Sequence, residues 1–147
     1  MLCVETKIGP SKIHGIGLFA AEFIPKGTVV WRFTPGFDAR FTAQQILRLP
    51  AAVQIYLTCY AWKSKKSGLY CLASDGAKHF NHSNTPNCRS RYEPEEPEVV
   101  TRAVKNIRVG TEITDDYASF AHQGRNVLDK IYEKYLIADA FPHRKKV

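Results

Sequence analysis

Residues His79 to Cys88 read HFNHSNTPNC, and the interpretation of these ten residues decides the fold. They hold three asparagines, two histidines, a serine, a threonine and a proline. Short polar side chains of this kind hydrogen-bond to nearby backbone and so compete with helix and strand alike. An irregular loop is expected. Apolar, strand-like runs lie on either side, Leu69 to Ala73 and Val99 to Val104, which bring the loop close to a core. Amides held near a core must find partners. Two readings meet that demand: a polar plug closed by its own turns and buried water, or a polar ligand bound by the loop.

Upstream, short extended segments alternate with turn signals. Cys3 to Ile8, His14 to Phe23 and Thr28 to Phe33 are separated by Gly9-Pro10-Ser11 and Pro25-Lys26-Gly27, a pattern of local antiparallel β structure. Within it lies GIGLFA, Gly15 to Ala20. The third glycine of a dinucleotide fingerprint is missing and no long helical pattern follows before Pro25, which excludes a doubly wound nucleotide-binding fold. Glycines without Cβ atoms suit either a β-bulge or close approach of a ligand to the backbone. Thr42-Ala43-Gln44-Gln45 resembles a capping box and opens a helical insert from about Thr42 to Trp62, interrupted at Pro50.

Downstream, Arg89 to Tyr92 and Val99 to Val104 read as strands around an acidic, proline-containing turn, and TEITDDY, Thr111 to Tyr117, as a strand ending in a tyrosine. From Gly124 the period changes: Val127, Leu128, Ile131, Tyr132, Tyr135 and Leu136 mark one face of a C-terminal helix.

The 147 residues suit one domain, which at this size buries roughly two thirds of its unfolded surface without cross-links. Cys3, Cys59, Cys71 and Cys88 show no CxxC spacing and are read as reduced thiols of a soluble intracellular protein, cytoplasmic or nuclear. No apolar run approaches the roughly 18 residues that span a bilayer, so no membrane association is expected. Twenty-one Lys and Arg against 14 Asp and Glu give +7, a balance that favours acidic partners and leaves nucleic-acid binding through a basic surface open. The acidic cluster Glu93 to Glu98 suits attraction of a basic peptide or a solvated turn equally, and the basic tail His143 to Lys146 reads as a solvated end.

GIGLFA, HFNHSNTPNC and GTEITDDY, in this order, resemble the signature of the SET domain family of protein lysine methyltransferases. The resemblance covers about residues 4–120, the core of a single domain over 1–147, and AEFIPKGTVV (Ala21 to Val30) and Tyr70-Cys71-Leu72 agree with it. It implies a mainly β, β-clip-like fold of several small curled sheets with a pseudoknot, a short helical insert and a C-terminal helix. It also implies S-adenosyl-L-methionine as cofactor, held by Lys12, Gly15, Ile16, Gly17, Asn81 and His82. Tyr117 matches the catalytic tyrosine beside the transferred methyl group. The substrate implied is a lysine in a protein, such as a histone or another DNA-packaging protein. Tyr70, Asp115 and Tyr132 fall at channel positions, with the helical segment of about 124–140 and Phe141 closing the site.

Three departures stand out. Asp115 occupies a position where the family commonly carries an aromatic ring, Lys78 replaces an arginine, and FTPGFD, Phe33 to Asp38, matches the family poorly. His79, His82 and Cys88 are conceivable zinc ligands, but no fourth ligand is evident. The cysteine that many relatives carry at Asn84, and their cysteine-rich tail, are missing as well, so no metal is expected.

Overall fold

The computed structural model describes residues 1–135. Three small sheets share the work of the core. In the first, β1 (Thr6–Pro10) and β2 (Ile16–Ala20) form a hairpin with Pro10 opposite Ile16 and Thr6 opposite Ala20. The turn between them passes through Gly15 at φ +46°, a left-handed conformation that favours glycine. The other side of β2 pairs antiparallel with β10 (Glu112–Asp115), and β10 pairs parallel with β7 (Asn81–His82), giving the order β1-β2-β10-β7. The late strand β10 is thus inserted between an early strand and a middle one, the knot-like arrangement implied by the resemblance.

The second sheet has the order β3-β9-β8, from Val29–Arg32, Val99–Ala103 and Cys88–Tyr92. The third is β4-β6-β5, from Ala39–Phe41, Tyr70–Leu72 and Trp62–Lys63. Between β4 and β5 the helical insert is split as Pro50 requires: α1 (Ala43–Arg48) carries the Thr42/Gln45 capping box, and α2 runs Ala51–Tyr60. The C-terminal α3 (Val127–Lys134) opens on a second capping box, Asn126 with Asp129.

Leu18, Ile24, Val30, Ile107 and Ile113 form one core. Ile46, Leu57 and Tyr70 receive the Val127, Leu128 and Ile131 face of α3 in a second. Trp31, Phe33, Cys71 and Val99 form a third. Each fully buried Leu or Ile contributes roughly 1.5–3 kcal/mol. No helix among the described residues is long and apolar enough to cross a membrane.

Several expectations shift. The loop is not wholly irregular: Gly76–His79 is a 3-10 turn, and Asn81–His82 takes strand geometry because β10 supplies backbone partners, tertiary pairing overriding local propensity. The last motif strand stops at Asp115, and Tyr117 opens a 3-10 turn capped by the Asp116 carboxylate, which accepts from Ala118 N. β4 had no counterpart in the sequence reading. The C-terminal helix beyond residue 135, Phe141 and the basic tail lie outside the described residues.

Candidate active site

The strand directions converge the motifs. β10 runs antiparallel to β2 and parallel to β7, so the start of β2 (Ile16) and the ends of β10 (Asp115) and β7 (His82) lie at one end of the sheet. Three sequence-distant motifs meet there, and a polar clamp ties them. The Glu112 carboxylate accepts from Ser11 Oγ at 2.8 and 2.9 Å and from Asn81 Nδ2 at 2.8 Å. Asn81 Nδ2 also donates to the carbonyls of His14 (3.1 Å) and Ile16 (3.3 Å). Gly17 is required by this clamp, because a Cβ there would stand 2.3 Å from Glu112 Oε1.

The amides of the central loop are therefore largely satisfied by the protein. Asn87 Nδ2 donates to the Glu112 carbonyl (2.7 Å) and its Oδ1 accepts from Thr114 N (2.9 Å). Asn84 Oδ1 meets His82 Nε2 at 3.2 Å. The plug interpretation accounts for most of the loop's polar groups. What faces outward is different: the half-exposed Ile16 and the His82 ring, while Asn81 is buried and its Oδ1 accepts no bond among the described contacts. Beside Ile8, Gly9, Pro10, Gly15 and Ile16 lies an open, mainly apolar cavity of about 320 Å³. At Gly15 a Cβ would meet nothing within 4 Å, so the backbone there is open to a ligand. Lys12 is exposed on the same hairpin turn. Asn81, His82 and Tyr117 do not line this cavity.

Tyr117 is 39% exposed. Its hydroxyl donates to the Phe80 carbonyl, its amide donates to His82 Nδ1 at 3.3 Å, and its ring lies 5.4 Å from the His82 ring and 6.0 Å from Phe120. Phe120 continues through Trp62 (5.7 Å) to Trp31 (5.9 Å), so an aromatic run joins the third core to Tyr117. The turn bearing Tyr117 is held down by Ser119 Oγ, which donates to the Ser90 carbonyl at 3.1 Å, and by Tyr92 Oη, which donates to the Phe120 carbonyl at 2.7 Å.

Asp115 does not face a channel. It is 2% exposed and turned toward β8, where its carboxylate accepts from Ser90 N (3.2 Å), Ser90 Oγ and Asp116 N (2.7 Å). Burial pushes its pKa up to about 6, and the bonds from Ser90 and Asp116 pull the other way. Tyr70 is likewise turned inward: it is buried in the second core, and its hydroxyl accepts from Val127 N at 3.2 Å, fixing the start of α3. Tyr132 sits half-buried on α3. The prospective zinc ligands are dispersed: His79 packs against Tyr60, His82 against Tyr117, and Cys88 is in the first core. Among the described residues no group of three His, Cys, Asp or Glu side chains could hold a metal ion.

The sequence reading missed Glu112, Ser11, Asn87 and Ser90. Alternation along β10 carried the signal, since Ile113 and Asp115 share one face and Glu112 and Thr114 the other.

Comparison with known proteins agrees with this fold. The family model described as the SET domain matches residues 15–118. A Plasmodium falciparum protein described as a candidate histone methyltransferase superposes with TM-score 0.54 at 20% identity, covering 79% of this chain and 95% of that one. The Chaetomium thermophilum Polycomb Repressive Complex 2 bound to an inhibitor gives TM-score 0.64 at 23% identity, covering 88% of this chain and 17% of that one. The same complex in an autoinhibited conformation bound to S-adenosylmethionine gives 0.61 at 22% identity, covering 90% and 17%. This chain spans about a sixth of those Chaetomium chains.

Proposed function

The chain belongs to the SET domain family, and from that premise we propose that it transfers a methyl group from S-adenosyl-L-methionine to the ε-amine of a lysine in a protein substrate. The observation that carries the reading is the convergence of Gly15–Gly17, Asn81–His82 and Tyr117 at one end of a sheet whose order no local pairing would produce.

The residues fit the cofactor. Open space at Gly15 beside an apolar cavity of about 320 Å³ suits a small amphipathic molecule. Asn81 Oδ1 is available to accept from an amine, the His82 ring and backbone offer a surface to a flat heterocycle, and Lys12 stands near enough in sequence to meet a carboxylate. When bound, the cofactor supplies the methyl group and a sulfonium charge.

The chain's own work is positioning and water exclusion. An unperturbed lysine titrates near 10.4, so the substrate amine must lose its proton before attack. Desolvation beside the Tyr117, Phe120 and Trp62 rings lowers that pKa. With its O–H donated in a hydrogen bond to the Phe80 carbonyl, the Tyr117 oxygen presents a lone pair that accepts from the lysine N–H and orients it. Asp115, bonded to Ser90, supports the floor beneath rather than gripping the lysine.

A histone tail or another basic DNA-packaging protein is the substrate class we favour, in line with the histone methyltransferase neighbours. The acidic cluster is a weaker guide than its sequence suggested. Glu93 is bonded to Arg102, Glu96 to Arg32, and Glu98 is fully buried against Ser64 and Arg40.

Calorimetric titration with S-adenosylmethionine, run beside Asn81→Ala and followed by mass spectrometry of histone peptides, tests the proposal. Binding lost in the variant, with lysine methylation slowed about 100-fold in Tyr117→Phe, supports it. A folded protein that takes up no cofactor would instead be a silent module acting by protein or nucleic-acid binding.

A further inference from the structure

The outer face of the β3-β9-β8 sheet carries an array of cations that the proposed reaction does not use. Register places Arg32, Val100 and Arg91 in one row across the sheet and Val29, Arg102 and Arg89 in the next. Arg89 and Arg102 are thus directly opposite, a like-charge pairing that costs stability unless it is compensated. Compensation is partial. Glu93 binds Arg102 through both oxygens, at 2.8 and 3.0 Å, and Glu96 pairs with Arg32 at 3.2 Å. Arg89, Arg91 and the neighbouring Lys26 have no carboxylate partner among the described residues, and Arg89 Nε is buried without an acceptor. Lys26, Arg89, Arg91, Arg102, Glu93 and Val100 are among the nine residues that surround a cavity of about 360 Å³.

We propose that this face binds the phosphodiester backbone of double-stranded nucleic acid. Arg89 and Arg91, alternate residues of one strand, stand roughly 7 Å apart along it. Lys26 lines the same cavity, and cations spread in this way suit a chain of anions better than a single one. Guanidinium forks match phosphate oxygens bidentately. The two rows offer no aromatic ring for base stacking, which disfavours single strands and makes the contact one of backbone and not of sequence. Inward-facing Ser90, between Arg89 and Arg91, bonds Asp115 beneath Tyr117. The cationic rows therefore point away from Asp115, and a bound duplex leaves that end of the sheet free.

The test uses the full chain and a labelled random-sequence duplex, with anisotropy read across a salt series. The combined variant Lys26→Ala, Arg89→Ala, Arg91→Ala should bind at least about tenfold more weakly, with the salt slope reduced by about 2 to 3 for three lost phosphate contacts. The control Lys7→Ala, Arg48→Ala, Lys130→Ala removes equal charge from exposed sites elsewhere and should keep the wild-type slope. Arg91→Glu alone, at an exposed position, should lose several-fold and covers the case in which the triple variant melts early. Equal losses in both triple variants, or no loss in Arg91→Glu, would overturn the proposal. So would tighter binding of poly-glutamate than of duplex, which would point to an acidic protein.

Discussion

Gly17 and Glu112 should behave as one unit in a double-mutant cycle. Glu112→Ala removes an acceptor bonded to Ser11 Oγ through both oxygens and to Asn81 Nδ2. Hydrogen bonds to a charged group are worth about 1.5–3 kcal/mol each, and partial exposure of this carboxylate brings the expected loss to about 2–3 kcal/mol in all. Gly17→Ala would place Cβ 2.3 Å from Oε1 and 2.8 Å from Cδ, where ordinary contact begins at 3.4 Å. The carboxylate must then withdraw by about 1 Å, which breaks the same bonds and costs the same 2–3 kcal/mol. In the Glu112→Ala background the two severe contacts are gone and Ser11 Cβ, at 3.1 Å, still crowds the new methyl. That contact is offset by the lower unfolded-state entropy of alanine, worth about 0.4–1 kcal/mol. The double variant should be no less stable than Glu112→Ala, giving a coupling of about 2 kcal/mol. Urea unfolding of all four proteins measures it. Losses that add to within about 0.5 kcal/mol would refute the clamp.

Other outcomes follow from the same geometry. The Asp115 pKa is raised from the ordinary 3.8 to about 6, so its penalty is absent below the lower value, grows as pH rises, and is complete above about 6. Asp115→Asn should therefore be more stable than wild type by up to about 3 kcal/mol near neutral pH, with the gap closing toward about pH 4. A difference that does not change with pH would remove that account. Arg40 lies 3.4 Å from the fully buried Glu98. Arg40→Ala should cost about 3 kcal/mol in denaturant unfolding by stranding that charge, and adding Glu98→Gln should restore much of it. Tyr117→Phe should lower kcat about 100-fold through mispositioning while leaving calorimetric cofactor affinity unchanged.

The legible parts of this molecule were those whose chemistry is local. Pro50 split the helical insert as its missing N–H demands, and Thr42 with Gln45 capped it as read. The hairpin signal at Gly9-Pro10-Ser11 was displaced by a few residues, because β1 continues through Pro10 and the reversal falls at Ser11–Gly15. A strand of only two residues, β7, could not be found from its own composition. Its geometry comes from β10, with Thr114 opposite Asn81 across a long crossover.

Asp115 shows how parity could have carried the sequence reading further. Treating it as a substitute for an aromatic ring suggested a charge in the channel. In TEITD, however, Ile113 is fully buried, and side-chain alternation puts Asp115 on the same inward face. The same rule turns Glu112 and Thr114 toward the loop asparagines, where Glu112 binds Asn81 and Thr114 Oγ1 accepts from Asn87 N at 3.3 Å. A shift of β10 by one residue would exchange these faces, setting Ile113 against the polar clamp and Glu112 in the first core. The clamp and the core therefore fix one register together, and that register carries Tyr117 to the end of the sheet where Gly15 and His82 already stand.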